Sequence, residues 1–333
     1  MIKEFEHKQF AHCESGVVST LLSAYGLKIS EPMAFGITST LSFVYLPIVK
    51  LNGLPLIAYR ELPKNIIKKI SQALGIKIKT ETFKDPFKAN DRLTQLVQEE
   101  NKLVGLQTSV FYLPYMPEDM RFHFNAHNLL VYGKEGTKYK ISDPVFEEVV
   151  QCNEGKLSIA RFAKGAFAPK GFLYYPQDVP SNLDLSKAIK KAIIKNAKSM
   201  TTPFPFAGLK GMQKVANKIK SLEKMTSEKD KKYIKLFLTH IVRMQEEIGT
   251  GGGGFRFLYA AFLQESKQYD LNNDILDKAS SLITQSGDTL REFALLCVKA
   301  SRTNNKIDFD SIANKLLEAR DFEKEAYALL KKI

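Results

Sequence analysis

Three residues with reactive side chains constrain the fold most, because they lie far apart in the chain and can act only if folding brings them together. Cys13 precedes an apolar segment with helical spacing, predicted as a helix from residue 15 to 25. His127 opens a strand-like segment, and Asp143 follows the next one. These two segments predict a hairpin that carries His127 and Asp143 at neighbouring ends, with the helix start packed against it.

This set of residues points to nucleophilic chemistry. A thiol with its ordinary pKa of about 8.5 is mostly protonated at neutral pH, and a helix N-terminus or an adjacent imidazolium stabilises the thiolate. Asp143 would accept a hydrogen bond from the other ring nitrogen of His127 and set its tautomer. Cysteine, histidine, then Asp or Asn is the chain order of papain-like enzymes, which transfer acyl groups through a thioester on sulfur.

An acyl transfer also needs donors for the oxyanion. The backbone N–H of Cys13, at the helix start, is one candidate. His7 and Gln9, a few residues upstream, are the side-chain candidates.

Two other interpretations of the same residues stay open. A free cysteine is often a small buried hydrophobic residue, which is how we interpret Cys152 and Cys297. A zinc site is the rival chemistry, but no CxxC or HExxH pattern accompanies the candidate ligands, so we expect no metal. Those candidates are His7, His12, Cys13, His123 and His127.

The length and composition are those of a soluble globular protein of two domains. The 333 residues contain 44% hydrophobic and 26% charged residues. No apolar run is long enough to span a bilayer, and the first residues lack the apolar core of a signal peptide, so we expect a cytoplasmic protein. Three separated cysteines do not make a disulfide framework and suit a reducing compartment.

The residue patterns change near residue 178. Residues 1–178 mix helical and strand-like segments, whereas residues 179–333 have helical spacing throughout. We therefore predict the α+β class with an all-α second domain, and the chain order of Cys13, His127 and Asp143 indicates a papain-like (cysteine-peptidase-like) first domain.

The positive charge is concentrated in one stretch. The formal net charge is +13, and the residues from Asp184 to Lys232 hold 13 Lys and 4 acidic residues, which makes +9. Such a surface attracts acidic partners. The absence of Arg and of interleaved aromatic residues argues against nucleic acid. A solvated helical face with no partner is the alternative.

Two further features allow both a functional and a structural interpretation. The glycine run that includes Gly251 and Gly252 could hold an anion on its N–H groups, or make a tight turn between packed helices. Arg256 would then pair with a phosphate or carboxylate, or join two helices. Tyr112 and Tyr115 would present hydroxyls to a polar substrate, or pack as ordinary amphipathic residues.

The chain resembles the acyltransferase family of butirosin biosynthesis protein H over nearly its whole length. In the N-terminal half the matching marks are His7 through His12-Cys13, Gly26 to Ser30-Glu31 with Phe35-Gly36, Tyr112-Leu113-Pro114-Tyr115, His123-Phe124, His127 and Asp143-Pro144. In the C-terminal half they are Gly249-Thr250-Gly251-Gly252, Phe255-Arg256, Phe262-Leu263 and Glu265. These marks add Glu31 and His123 to the candidate binding residues.

The resemblance implies a reaction and its partners. Members of that family move an acyl group from the phosphopantetheine thioester of an acyl carrier protein to an amine of an aminoglycoside. Carried over, Cys13 would be the nucleophile, His127 the base and Asp143 the orienting residue. We therefore expect an acidic acyl carrier protein and a small-molecule acceptor as partners, and no bound cofactor. His7 stands where papain-like enzymes often have a glutamine. Hydrolysis by the same three residues and a non-catalytic binding module are the alternatives.

Overall fold

The chain divides into two compact units. The computed structural model describes residues 5–51, 53–180, 183–303 and 305–333. The first unit contains the residues up to Ala34 and Pro63–Leu183, and the second contains Phe35–Leu62 and Asp184–Ile333. The predicted division after residue 178 differs from this one, because residues 35–62 group with the C-terminal residues.

A hairpin explains that difference. Strands β1 (Leu41–Leu51) and β2 (Leu54–Arg60) pair in antiparallel fashion. The Asn196 side chain donates to the Leu41 carbonyl at 2.8 Å, and the Tyr45 N–H donates to the Phe206 carbonyl at 2.9 Å. These bonds satisfy strand-edge groups that would otherwise be left unpaired. The hairpin lies outside residues 179–333, the predicted second domain, and the described residues from 185 onward form helices as predicted.

In the described part of the first unit, six antiparallel strands form a sheet in the order β3-β8-β4-β5-β6-β7. Its strands are β3 (Lys77–Glu81), β4 (Val104–Thr108), β5 (His127–Glu135), β6 (Lys138–Ser142), β7 (Val150–Asn153) and β8 (Leu173–Asp178). All five residues of β4 are buried, as expected for a central strand. The combination of this sheet with helices confirms the α+β class.

Helix α1 carries Cys13 to the sheet. The helices with residues in this unit are α1 (Cys13–Ala24), α2 (Glu31–Gly36, divided between the units), α3 (Asn65–Leu74), α4 (Pro86–Thr94) and α5 (Glu154–Arg161). Helix α1 packs against β5 and is buried almost throughout. A Cβ added at Gly16 would lie 2.7 Å from the Phe10 Cβ. Glycine therefore allows the segment before α1 to lie directly against its first turns.

Within its described residues, the second unit adds six helices to the hairpin. They are α6 (Leu185–Met200), α7 (Gly208–Ser221), α8 (Glu228–Val242), α9 (Arg256–Glu265), α10 (Asn273–Arg302) and α11 (Phe309–Leu330). Their apolar faces form a core of their own, in which Ile193, Phe237 and Phe293 are completely buried. Among the described residues, no helix combines the length and the apolar character needed to cross a membrane.

Candidate active site

His127 and Asp143 form a buried pair at one end of the sheet. His127 is the first residue of β5, and Leu130 pairs with Ser142, the last residue of β6. This register places Asp143 beside the start of β5, where its Oδ2 lies 2.8 Å from Nε2 of His127. The two side chains are 4% and 0% exposed, respectively.

Two further donors hold the Asp143 carboxylate. The backbone N–H of Val145 donates to Oδ1 at 3.1 Å, and the Tyr115 hydroxyl donates to Oδ2 at 2.9 Å. A buried carboxylate is costly unless donors satisfy it, and these contacts provide that satisfaction on both oxygens. The position of the carboxylate is therefore set from three directions.

The surroundings of His127 favour its protonated form. Burial lowers the pKa of the imidazole, but the Asp143 charge, the hydrogen bond to Asp143 and the neighbouring Cys13 together raise this pKa to about 10. A proton on the ring is therefore retained well above the ordinary range for histidine. Such a ring can stabilise a thiolate or supply a proton to a leaving group.

Helix α1 places Cys13 beside His127. It is the first residue of α1, directly after the N-cap residue His12. The Cys13 side chain lies next to the His127 ring and contributes to raising the pKa of that imidazole. Because Nε2 faces Asp143, Nδ1 is the nitrogen left for the thiol. As the first helical residue, Cys13 also has a backbone N–H with no acceptor inside the helix, as the oxyanion prediction requires.

Exposure separates Cys13 from the other two cysteines. Cys13 is partly exposed, whereas Cys152 and Cys297 are buried. Burial raises the pKa of the Cys152 thiol to about 11 and that of Cys297 further. A reagent or substrate therefore has one accessible thiol with a histidine beside it.

Glu31 holds the backbone just before Cys13. Its Oε1 accepts the N–H of His12 at 2.7 Å and its Oε2 accepts the N–H of Ala11 at 3.0 Å. The Ser15 hydroxyl also donates to Oε1, at 3.0 Å. The side chain is buried, which raises the pKa of this carboxyl although the hydrogen bonds oppose that rise. The sequence analysis proposed Glu31 as a binding candidate, whereas its contacts orient the entry into α1.

His7 and Gln9 are bonded to the loop that follows Asp143. The ring nitrogens of His7 lie 2.7 Å from Ser142 Oγ and 3.2 Å from the Phe146 carbonyl. The Gln9 amide donates to the Val145 carbonyl at 2.9 Å. A carbonyl oxygen can only accept, so the His7 nitrogen that faces Phe146 donates its N–H there. An oxyanion role for His7 would therefore require loss of a bond, whereas the Gln9 amide has a second N–H.

Tyr112 and His123 lie in an exposed aromatic cluster in the segment between β4 and β5. Phe111 stacks on His123 with ring centroids 3.9 Å apart, and Tyr112 meets the same imidazole edge-on at 6.4 Å. All three side chains are exposed. Within the described ranges, no group of His, Cys, Asp and Glu is arranged to hold a metal ion.

The glycine run lies in the second unit, and two of its N–H groups have acceptors there. The Gly253 N–H points at the Glu246 carboxylate, 3.2 and 3.1 Å from its two oxygens, and the Gly252 N–H donates to the Thr250 hydroxyl. Gly251 and Gly252 have φ values of 66° and 84°, which favour glycine. A Cβ at Gly252 would lie 2.5 Å from the Arg291 side chain. These contacts favour the tight-turn interpretation over an external anion.

Arg256 forms a buried ion pair within the second unit. Its Nε and Nη2 donate to the two oxygens of Glu323 at 2.8 and 3.1 Å. Nη1 donates to the carbonyls of Gly254 and Ser42. Both charged side chains are 0% exposed. Arg256 therefore joins α9 to α11, which is the structural alternative of the sequence analysis.

Glu14 is a buried residue that the sequence analysis did not single out. It follows Cys13 directly and has no exposed surface. Its Oε1 accepts the N–H of Ile66 at 3.1 Å in the first turn of α3. An acidic residue at the start of a helix predicted to pack against the sheet was the available signal, because such a residue must find donors when it is buried.

Comparisons with known proteins were made for the whole chain. Residues 12–144 match the family described as butirosin biosynthesis protein H, N-terminal, and residues 155–330 match the domain of unknown function DUF4872. The curated proteins contain no match. Among solved structures, one described as a C39-like peptidase from Bacillus anthracis is 13% identical, covers 54% of this chain and 98% of its own, and gives a TM-score of 0.35.

The family matches carry the identification, since a structural likeness of that size carries no inference. They place a butirosin-H-type segment around the Cys13, His127 and Asp143 cluster and a second family over the helical region. The resemblance predicted from the sequence is thereby confirmed. The chain belongs to the family of the DUF4872 domain, which covers more than half of it, and joins that domain to an N-terminal domain of the butirosin biosynthesis protein H type.

Proposed function

We propose that the protein is an acyltransferase that takes an acyl group from the phosphopantetheine thioester of an acyl carrier protein. The observation that carries this proposal is the position of the partly exposed Cys13 thiol beside the buried His127–Asp143 pair. A thiol of this kind exchanges acyl groups with another thioester at little energetic cost, because one carbon–sulfur bond replaces another.

The reaction has two halves. In the first, the Cys13 thiolate attacks the donor carbonyl, and the pantetheine sulfur leaves with the proton held by His127. In the second, the acceptor amine or hydroxyl gives its proton to His127 and attacks the thioester, which releases the Cys13 thiol. Asp143 keeps the imidazole oriented in both halves. The Cys13 N–H would stabilise the oxyanion.

Intact mass spectrometry tests the first half. We expect the wild-type protein to gain the mass of one acyl group after incubation with acyl-loaded carrier protein, and Cys13→Ala to gain none. Labelling of Cys13→Ala would contradict the assignment. An acyl-enzyme that releases free acid as fast without an acceptor as with one would instead favour hydrolysis, and no acyl-enzyme with any thioester would favour a binding module.

The lysine-rich helix α6 is the proposed docking surface for the carrier. Its five lysines are all exposed, and in the part of the chain that the structure describes none of them forms an ion pair. They are Lys187, Lys190, Lys191, Lys195 and Lys198. Carrier proteins are acidic, and long-range attraction between exposed charges is screened beyond roughly 8 Å at physiological salt.

Charge reversal tests this docking surface. We expect Lys190→Glu with Lys191→Glu to raise the KM for the carrier protein with little change in kcat, and to have no effect with a free pantetheine thioester. Lys331→Glu with Lys332→Glu is the matched control, because these exposed lysines lie at the end of the chain outside the basic stretch. Equal losses with both donors would overturn the docking proposal and leave the chemistry of Cys13 untouched.

A further inference from the structure

One oxygen of Asp143 serves two donors. Oδ2 accepts from Nε2 of His127 at 2.8 Å and from the hydroxyl of Tyr115 at 2.9 Å. The second donor therefore acts on the same atom that orients the histidine. Loss or strengthening of the Tyr115 hydrogen bond therefore affects His127 through Oδ2 of Asp143.

The hydroxyl of Tyr115 is held in place by the turn that carries it. The neighbouring Leu113 and Met116 are buried in the core of the first unit. The Arg121 guanidinium donates to the carbonyls of Pro114 and Met116, both at 2.7 Å. Anchored on both sides, the turn keeps the phenol aimed at Asp143.

The phenol also remains a donor over the working pH range. Burial and then the Asp143 charge raise the pKa of Tyr115. The titratable groups that face this network are Cys13 from α1, His127 from β5 and Cys152 from β7. Tyr115 therefore supplies its proton to the hydrogen bond in every state that the reaction visits.

We propose that Tyr115 is a positioning residue, which orients Asp143 and partly offsets its charge so that His127 stays aligned with Cys13 and can release its proton. This inference rests on the proposed role of Cys13 and His127, and it differs from the sequence-based expectation that the hydroxyl faces a substrate. Without the phenol, Asp143 would hold the imidazolium more strongly and in a less defined orientation.

The test uses Tyr115→Phe in the full chain, with Tyr132→Phe as control. Tyr132 lies on the same strand as His127, and within the described residues its ring stacks on Phe5 while its hydroxyl forms no hydrogen bond. Two quantities are measured against pH: the NMR signal of the His127 ring, assigned by its loss in His127→Gln, and the rate at which iodoacetamide alkylates Cys13. Neither measurement needs an acyl donor, so a failure of the proposed acyl transfer would be seen separately.

We expect Tyr115→Phe to raise the pH at which His127 deprotonates by roughly half a unit or more, and Tyr132→Phe to leave it unchanged. Turnover with an acyl donor should fall by roughly tenfold to a hundredfold, as for loss of a hydrogen bond to a charged group. An unchanged His127 titration in folded Tyr115→Phe would overturn the proposal.

A second replacement of Tyr115 should shift the pH at which His127 deprotonates in the opposite direction. Site-specific substitution of Tyr115 by 3-fluorotyrosine keeps the shape and makes the hydroxyl a stronger donor. We expect the His127 titration to move downward, opposite to the effect of Tyr115→Phe. A purely structural role would not produce shifts of opposite sign. This variant also provides the test if Tyr115→Phe does not fold, and a shift upward or none would then overturn the proposal.

Discussion

Each unit contains a buried ion pair, and the two pairs differ in whether the basic partner has a nitrogen left for another group. In the second unit, Arg256 gives all three of its nitrogens to acceptors, and Glu323 also accepts from Ser286. In the first unit, the Asp143 carboxylate is equally well satisfied, but its partner His127 has a second nitrogen beside a partly exposed thiol.

The difference between these two ion pairs shows which buried charged groups can take part in a reaction. A guanidinium keeps its proton at any working pH, so the pair with Glu323 can only hold helices together. An imidazole exchanges its proton, and the acidic partner tunes when it does so. Burial and pairing alone therefore do not mark a functional site. An exchangeable proton next to an accessible nucleophile does.

The largest expected effect is on the reaction of the first unit. Asp143→Asn replaces the charged acceptor by an amide, which leaves His127 without the partner that sets its tautomer. We expect acyl transfer to fall by about 10³- to 10⁴-fold, as measured by steady-state kinetics at a temperature where calorimetry shows the variant to be folded. Activity within tenfold of wild type would show that the pair is structural, like the one in the second unit.

Breaking the ion pair of the second unit should lower the stability of the protein. Arg256→Met strands a buried Glu323, and we expect a loss of about 3–5 kcal/mol in the free energy of unfolding by denaturant titration. Arg256→Met with Glu323→Leu should recover much of that loss, because no charge is then left unpaired. Arg302→Met, at an exposed position in the last turn of α10, is the control and should cost less than about 1 kcal/mol. A double variant as unstable as the single one would contradict this account.

The pH dependence of stability should distinguish the two pairs further. Since the folded pKa of His127 is raised to about 10, its contribution is fully present below the unfolded value of about 6.5 and is lost as pH rises toward 10. The wild-type advantage over His127→Gln in unfolding free energy should therefore shrink by on the order of a few kcal/mol between pH 6 and pH 10. If the difference in unfolding free energy between wild type and His127→Gln grew with pH, the predicted direction of the His127 contribution would be wrong. The loss caused by Arg256→Met should stay nearly constant over that range.

The smallest effect concerns the carboxylate that orients the start of α1. Glu31→Gln substitutes a donor for one of the oxygens that receive the Ala11 and His12 N–H groups. We expect a loss of about 1–3 kcal/mol in stability and slower alkylation of Cys13 by iodoacetamide. The exposed Glu148→Gln is the control. Stability lost without any change in alkylation would mean that Glu31 supports the fold and does not position Cys13.

Pattern and spacing predicted much of the first unit. The helix after Cys13 and the hairpin that begins near His127 follow from apolar periodicity and turn residues, and the structure places Cys13 and Asp143 beside His127. Local pattern was sufficient here because the strands are adjacent in sequence, and their register places the two ends side by side.

The sequence could not show which partner each polar residue would find. Tyr115 faces Asp143, Glu31 faces the backbone before Cys13, and Glu246 accepts from the glycine run. Each of these contacts joins residues whose local patterns are compatible with several partners. Hydrogen bonds of this kind depend on the final position of loops, which periodicity does not encode.

The sequence by itself determined the class of fold, the family and the types of reactive residue, because apolar periodicity and residue chemistry are local properties of the chain. Tertiary structure alone decided that residues 35–62 group with the helical unit and that Arg256 forms an ion pair with Glu323. It also decided that Cys13 is the accessible thiol beside a histidine. The physical reason is that burial and pairing are properties of the packed molecule, and a charged or nucleophilic group acquires its role from the donors, acceptors and solvent that packing leaves around it.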